Sequence, residues 1–354
     1  MASVICLFNH KGGVSKTTTA FNLGWMLGRK GKRVLLVDCD PQCNLTGMVL
    51  GYDQIEDAEA VLSSSGKTAK NIRDGLAPAF ESRPAAIEAA ECIQVPGNDH
   101  LFLLPGHIGL AEYEVTLGIA QELSGSIVTL RNLPGSIRYL IDKTAEAYNI
   151  DIVLVDMSPS LGAVNQNLVA TSDFFLVPMH PDYFAIMAVR SLASVLPKWK
   201  HWADTAKKMT VLQEAEYPFP NAAPKFLGYV IQKYRPRGNS APSKAFEQWI
   251  TQVETAVADG LIPALGAADM LLPEKMYQDA GFKPAEPLLQ MSDFNGLIAR
   301  SQEHQVPVFE LTDAQLKLGG SVLDNTKESM DRFRGLFEQA ADRVITLVAD
   351  ATGS

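Results

Sequence analysis

Near its start the chain runs Val4-Ile5-Cys6-Leu7-Phe8, then Asn9-His10-Lys11-Gly12-Gly13-Val14-Ser15-Lys16-Thr17-Thr18-Thr19. The apolar run reads as a buried strand, the glycines as a tight loop, and the lysine–threonine pair as the opening of a helix over Thr17 to Arg29. Strand, loop and helix end together make a phosphate cradle. Backbone N–H groups and the helix N-terminus attract polyphosphate, the lysine adds a point charge, and the first threonine hydroxyl is placed to hold Mg²⁺. The strict form of this loop has glycine before the lysine, where this chain has Ser15, and a second lysine, Lys11, stands five residues ahead of Lys16.

A lone glycine–lysine–threonine cluster is often an ordinary turn, but two further segments join this one. Arg33-Val34-Leu35-Leu36-Val37-Asp38-Cys39-Asp40 and Asp151-Ile152-Val153-Leu154-Val155-Asp156 are apolar strands ending in carboxylates. Open α/β sheets bind ligands beyond the carboxyl ends of their strands, and an aspartate there suits the Mg²⁺ shell of a bound nucleotide. Strand candidates at 3–8, 33–38, 101–104, 151–156, 173–178 and 226–232, with 209–213 and 306–309 as further candidates, alternate with helical patterns. The alternation predicts an α/β fold, a mostly parallel central sheet with helices on both faces.

With these residues in place the chain resembles the ParA/MinD family of deviant-Walker P-loop ATPases, ParA more than MinD. Lys11 to Thr17 matches the family's KGGxGKT except at Ser15, and Asp38 to Thr46 matches its DxDPQxNxT. Asp156 to Gly162, Asn167-Leu168, Asp173, Leu176-Val177-Pro178, Tyr183-Phe184-Ala185, and Leu103-Leu104-Pro105-Gly106 with Leu110-Ala111-Glu112 are also similar to ParA. The resemblance is specific over about 1–50 and 100–196, weaker over 226–310 and absent from 53 to 95. It implies one P-loop NTPase domain over 1–354, with helical elaborations inserted at about 53–95 and 260–290.

The resemblance also implies ATP and Mg²⁺. Lys11, Gly12, Gly13, Val14, Ser15, Lys16, Thr17 and Thr18 would surround the nucleotide, with Lys16 on the β- and γ-phosphates and Thr18 on the α-phosphate. Thr17 would hold the metal, with Asp38 and Asp156 in its outer sphere, and Asp40 would position the attacking water. Gln232, near the end of a family-like strand, would contact the base, and the absence of an NKxD motif favours adenine. Lys11 would reach across a homodimer interface to the partner's nucleotide, joining Lys16 and Asp40 in the catalytic set. A lysine supplied in trans makes hydrolysis conditional on dimerisation.

Ser15 is the departure that matters. A side chain at a position glycine favours costs roughly 1–2 kcal/mol of strain if the backbone is left-handed. A nucleotide-gated binding module with little turnover is therefore one alternative to the enzyme.

The formal net charge is −9, which does not suggest a globally nucleic-acid-coating protein. From Lys198 to Ala245, however, nine cations face three acids. ParA relatives bind DNA without sequence preference through basic surface residues, which makes Lys198, Lys200, Lys207, Lys208, Lys233, Arg235, Arg237 and Lys244 the candidate DNA-binding set. The implied partners are a second copy of the chain, non-specific DNA, and a ParB-like activator or cargo adaptor. The implied setting is cytoplasmic and nucleoid-associated.

A MinD-like membrane ATPase is the other alternative. No apolar run reaches the ~20 residues of a membrane span. The stretch Lys327 to Val348 places Met330, Phe333, Phe337, Ala340, Val344 and Leu347 near helical spacing among several acids, which predicts core packing and not a membrane-binding helix. Cys6, Cys39, Cys43 and Cys92 form no CxxC pair and read as free thiols. No cysteine follows the Asp156 motif, which excludes a metal-cluster reductase of the nitrogenase iron-protein kind, and no helix-turn-helix precedes the loop.

Overall fold

The computed structural model describes all residues except 52–68, 82, 124–129, 235, 238–240, 243, 295 and 354. Its strands are β1 (Ser3–Leu7), β2 (Val34–Cys39), β3 (Ile93–Gln94), β4 (Leu101–Leu104), β5 (Ile152–Met157), β6 (Phe174–Met179), β7 (Lys225–Tyr234), β8 (Pro236–Arg237), β9 (Ala241–Pro242) and β10 (Leu289–Ser292). Eight of them form one sheet in the order β10-β7-β6-β1-β5-β2-β4-β3, while β8 and β9 pair separately. Every pairing in the large sheet is parallel except β3 with β4. The α/β architecture read from the alternation is the one observed.

The helices are α1 (Lys16–Arg29), α2 (Asn44–Leu50), α3 (Ile72–Phe80), α4 (Tyr113–Leu123), α5 (Leu133–Ala147), α6 (Ala163–Thr171), α7 (Tyr183–Ala206), α8 (Thr210–Gln213), α9 (Lys244–Ala256), α10 (Ile262–Ala267), α11 (Glu274–Asp279), α12 (Leu297–His304), α13 (Asp313–Leu316) and α14 (Gly320–Thr352). Strand side chains alternate between faces with a period of two. Val4, Cys6, Leu35, Val37, Val153 and Val155 join the core beneath α3, α5, α6 and α7. Ile5, Leu7, Val34, Leu36, Ile152 and Leu154 join the core beneath α1 and α14. Gly24 lets α1 lie close on the sheet, since a Cβ there would stand 2.7 Å from Leu36 Cδ2.

The C-terminal stretch forms the 33-residue α14, longer than the pattern indicated. Met330, Phe333, Phe337, Ala340, Val344 and Leu347 are all buried on it, so the apolar stripe belongs to the core. No helix among the described residues is long and apolar enough to cross a membrane.

Two strand readings are corrected. Residues 209–213 fall on the short helix α8, where Glu214 N closes a helical turn on Thr210 O at 2.9 Å. Residues 306–309 contain Pro307, which has no N–H to donate; Val308 and Phe309 are buried by packing and not by pairing. Conversely, the segment expected to be a second elaboration, about 260–290, runs into a sheet strand that the sequence did not signal. Tyr277 of α11 donates its hydroxyl to Phe226 O at 2.5 Å, and the chain then returns as β10 beside β7. Within the segment expected to be the first insert, about 53–95, residues 52–68 and 82 lie outside the described residues, and α3 buries Ile72, Leu76 and Ala77.

Candidate nucleotide site

Register brings the site together. Asp38 of β2 lies opposite Asp156 of β5, and Asp156 lies opposite Leu7 of β1, so both carboxylates emerge at the edge where the loop begins. Asn9 pins the loop's first turn: its Nδ2 donates to Pro178 O at 2.8 Å, and its Oδ1 accepts from Lys11 N at 3.0 Å. Gly13 has φ 72° and Ser15 has φ 63° and ψ 34°, so the serine stands in the left-handed conformation anticipated for glycine. Gly12 and Gly13 are exposed, Val14, Ser15 and Lys16 are buried, and Thr17 and Thr18 are half-buried.

The Lys16 ammonium donates to Asn9 O at 3.1 Å. Burial pulls its pKa down, while the charges of Asp156 and Asp40 act in the opposite direction. Burial also lowers the pKa of neighbouring His10, reinforced by Lys16. Asp38 is fully buried and accepts from Thr46 N at 2.8 Å, Thr46 Oγ1 at 2.7 Å and Asp40 N at 3.2 Å. Burial raises its pKa to about 6 in spite of those bonds.

Asp156 is more extreme, with its pKa pushed up to about 8 by burial and then by the Asp38 charge. Neither of its oxygens makes a hydrogen bond of ordinary geometry, although the Thr17 hydroxyl and the Lys16 charge both act to lower its pKa. Asp40, 6% exposed, accepts from Gln42 N at 3.0 Å. An orphaned buried carboxylate beside a threonine hydroxyl and a second aspartate is an all-oxygen donor set of the kind Mg²⁺ takes, so these residues fit the ion.

Other sequence-predicted residues stand in places the sequence did not indicate. Lys11 forms an ion pair within the chain: its ammonium meets both carboxylate oxygens of Asp182 at 2.5 and 2.6 Å and lies 5.7 Å from the Phe184 ring centroid. Asp182 is at the same time the N-cap of α7, accepting from Ala185 N at 2.8 Å. Gln232 is 1% exposed, with its amide directed at Thr19 of α1 and not at an open surface.

The candidate DNA set is divided. Lys198 and Lys208 are exposed, but Lys200 is buried and pairs with Asp204 at 2.6 Å. Lys207 reaches the same carboxylate at 3.5 Å. Arg235 and the side chains of Lys233, Arg237 and Lys244 lie outside the described residues.

Thr46, Asp182 and Glu114 were missed as site residues. Thr46 holds Asp38 in place and accepts from Gly106 N at 2.9 Å. Glu114 of α4 accepts from Ala163 N and Val164 N, capping α6 just after the Asp156 segment. Thr46 ends a recognised motif, and Asp182 is a legible N-cap before a helix; the Glu114 contact has no local signal.

Residues 2–209, more than half of the chain, match the family model described as an AAA domain. The chain belongs to this family, the ParA/MinD-type P-loop ATPases. Over 266 residues it is 28% identical to an uncharacterized protein of Methanocaldococcus jannaschii, a match that covers 73% of this chain and 84% of that one. Over 196 residues it is 32% identical to the chromosome partitioning protein ParA of Caulobacter vibrioides, covering 55% of this chain and 62% of that one, less than two thirds of its length. In fold it is similar to pNOB8 ParA, whose structure was solved bound to nonspecific DNA. The TM-score is 0.57 at 20% identity, over 99% of each chain.

The carboxylates give the nucleotide-free chain a specific pH dependence. An unfolded aspartate titrates near ~3.9, whereas Asp156 holds its proton to about 8. The folded state therefore binds more protons between those values, and stability falls as pH rises through that window. Urea unfolding at about pH 5.5 and about pH 8 should show this loss, and Asp156→Asn should flatten it. An unchanged slope in the variant would remove Asp156 as the source.

Proposed function

We propose that this chain is an ATPase of the ParA kind, one P-loop unit over 1–354 with elaborations at 53–95 and 260–290. It binds ATP with Mg²⁺, pairs with a second copy in the ATP state, grips DNA without sequence preference, and hydrolyses ATP when a ParB-like activator or cargo adaptor engages it. Its task is DNA partition or cargo positioning, in the cytoplasm and on the nucleoid. The observation that carries this reading is the meeting of Lys16, Thr17, Asp38 and Asp156 at one sheet edge.

The buried Lys16 ammonium, with its depressed pKa, is short of an anion that phosphate oxygens would supply. The loop N–H groups and the start of α1 add donors on the same side. Thr17, with Asp38 and Asp156 behind it, would hold Mg²⁺, which supplies charge neutralisation of the phosphates when bound. Asp40, held through Gln42 N, orients the attacking water; Thr18 contacts the α-phosphate. Lys11 must leave Asp182 to reach a partner's nucleotide, so dimerisation competes with an intrachain ion pair.

The buried stripe of α14 gives no support to the membrane-positioning alternative. Ser15, strained at φ 63°, does favour the second reading, a binding module with slow turnover.

Labelled-ATP titration is the first test. Lys16→Ala should weaken binding by at least about tenfold, the scale of a charge-assisted hydrogen bond lost; equal affinity would refute the site. In light scattering, Lys11→Ala should keep ATP affinity yet stay monomeric with ATP, and a variant dimerising like the wild type would take Lys11 out of that role.

For DNA, the exposed Lys198 and Lys208 are the informative pair. Replacing both with glutamate should lower affinity across all sequences and flatten the log affinity–log salt slope by roughly 0.9 per lost phosphate contact. Lys200→Gln, which removes a cation already held by Asp204, should leave the slope unchanged. Mobility shifts with ATP, ADP and no nucleotide provide the readout, and indifference to DNA in all three states at low salt would end the nucleoid reading.

A further inference from the structure

Ser15 carries both a side chain and a left-handed backbone. Its hydroxyl is buried and has no hydrogen-bond partner among the described residues. The side chain therefore offsets none of the strain, and something else must hold the turn. The Ser15 carbonyl does have partners: Thr19 N donates to it at 2.9 Å and Thr19 Oγ1 donates to it at 2.7 Å. Having given its proton, the Thr19 hydroxyl acts as an acceptor, and it takes the hydrogen bond of Gln232 Nε2. The backbone carbonyl of Gln232 is in turn 3.1 Å from His180 Nδ1. Thr19 and Gln232 are each 1% exposed.

A threonine bonding back to the carbonyl four residues earlier is common in helices. The distinctive element is a second buried donor, from a residue 213 positions along the chain, which fixes the threonine rotamer. Turning Ser15 out of the left-handed region would swing its carbonyl away from both Thr19 donors. With the Thr19 rotamer held by Gln232, the Thr19 N–H and the hydroxyl proton would then be left buried with no acceptor, a loss that opposes the strain of the turn.

We propose that Gln232 and Thr19 form a brace that holds Ser15 in the turn glycine would adopt unaided. Gln232 is then a positioning residue of the phosphate loop and not a reader of the base. Only its effect on ATP affinity rests on the reading that this loop binds ATP; its first readout needs no nucleotide.

The variants are Thr19→Val, Thr19→Ser and Gln232→Leu, each with and without Ser15→Gly. In nucleotide-free protein, amide hydrogen exchange across residues 11–18 should rise about tenfold in Thr19→Val and Gln232→Leu and stay within about twofold in Thr19→Ser. Exchange in α5 should not change, which separates a local effect from unfolding. ATP affinity should fall about tenfold in Thr19→Val, but no more than about twofold when Ser15→Gly is also present, because glycine carries no Cβ penalty at positive φ.

Unchanged exchange in both Thr19→Val and Gln232→Leu overturns the brace. So does an equal loss of ATP affinity with and without Ser15→Gly, since the two residues would then act otherwise than through residue 15. If the wild type binds no ATP while Thr19→Val raises loop exchange, the brace stands and the nucleotide reading fails.

Discussion

Two aspartates buried side by side repel each other and lose their hydration, and the carboxyl edge of this sheet is organised around that conflict. The β2–β5 register sets Asp38 against Asp156 with no choice of spacing. Asp38 is relieved by Thr46 and the Asp40 amide; Asp156 retains its proton far above the usual carboxylate range. Lys16 is the opposite case, an ammonium drawn below its ordinary pKa by burial although both Asp156 and Asp40 favour its charge. The edge is thus an unbalanced set of charges whose balance improves when phosphate and a divalent cation arrive together. On the proposed function, nucleotide and metal would complete the fold's electrostatics as well as its chemistry.

Much of this was legible in the sequence because it is local. Loop, lysine and helix start are contiguous, and an apolar run closed by aspartate reads as a strand end whatever its neighbours. Register and partners are not local. Asp182 lies 171 residues from Lys11, and Gln232 lies 213 from Thr19, so neither pairing leaves a mark on nearby residues. The basic segment was only partly legible, for a different reason. Counting cations ignores which face of a helix they occupy, and Lys200 and Lys207 both turn to Asp204, one turn away from each. The strand readings at 209–213 and 306–309 failed because short apolar runs do not distinguish pairing from packing.

Ser15 shows how a departure from a motif can be compatible with the motif's geometry. The backbone angle is kept, and the site gains a buried polar chain reaching from α1 to the end of β7. Lys11 shows a related point. The residue assigned to act on a second molecule is engaged at home, and its partner there is the cap of the helix that carries Lys198.

The borders of the sheet bear on how copies of this chain meet. One edge is the two-residue, antiparallel β3 and the other the four-residue β10. Such short margins offer few free backbone groups, so a neighbouring molecule finds little ladder to extend. If two copies pair as proposed, their contact is then left to side chains and bound ligands, which can be made and released within a cycle. Strand-to-strand growth into a filament, which is hard to reverse, is disfavoured from the outset.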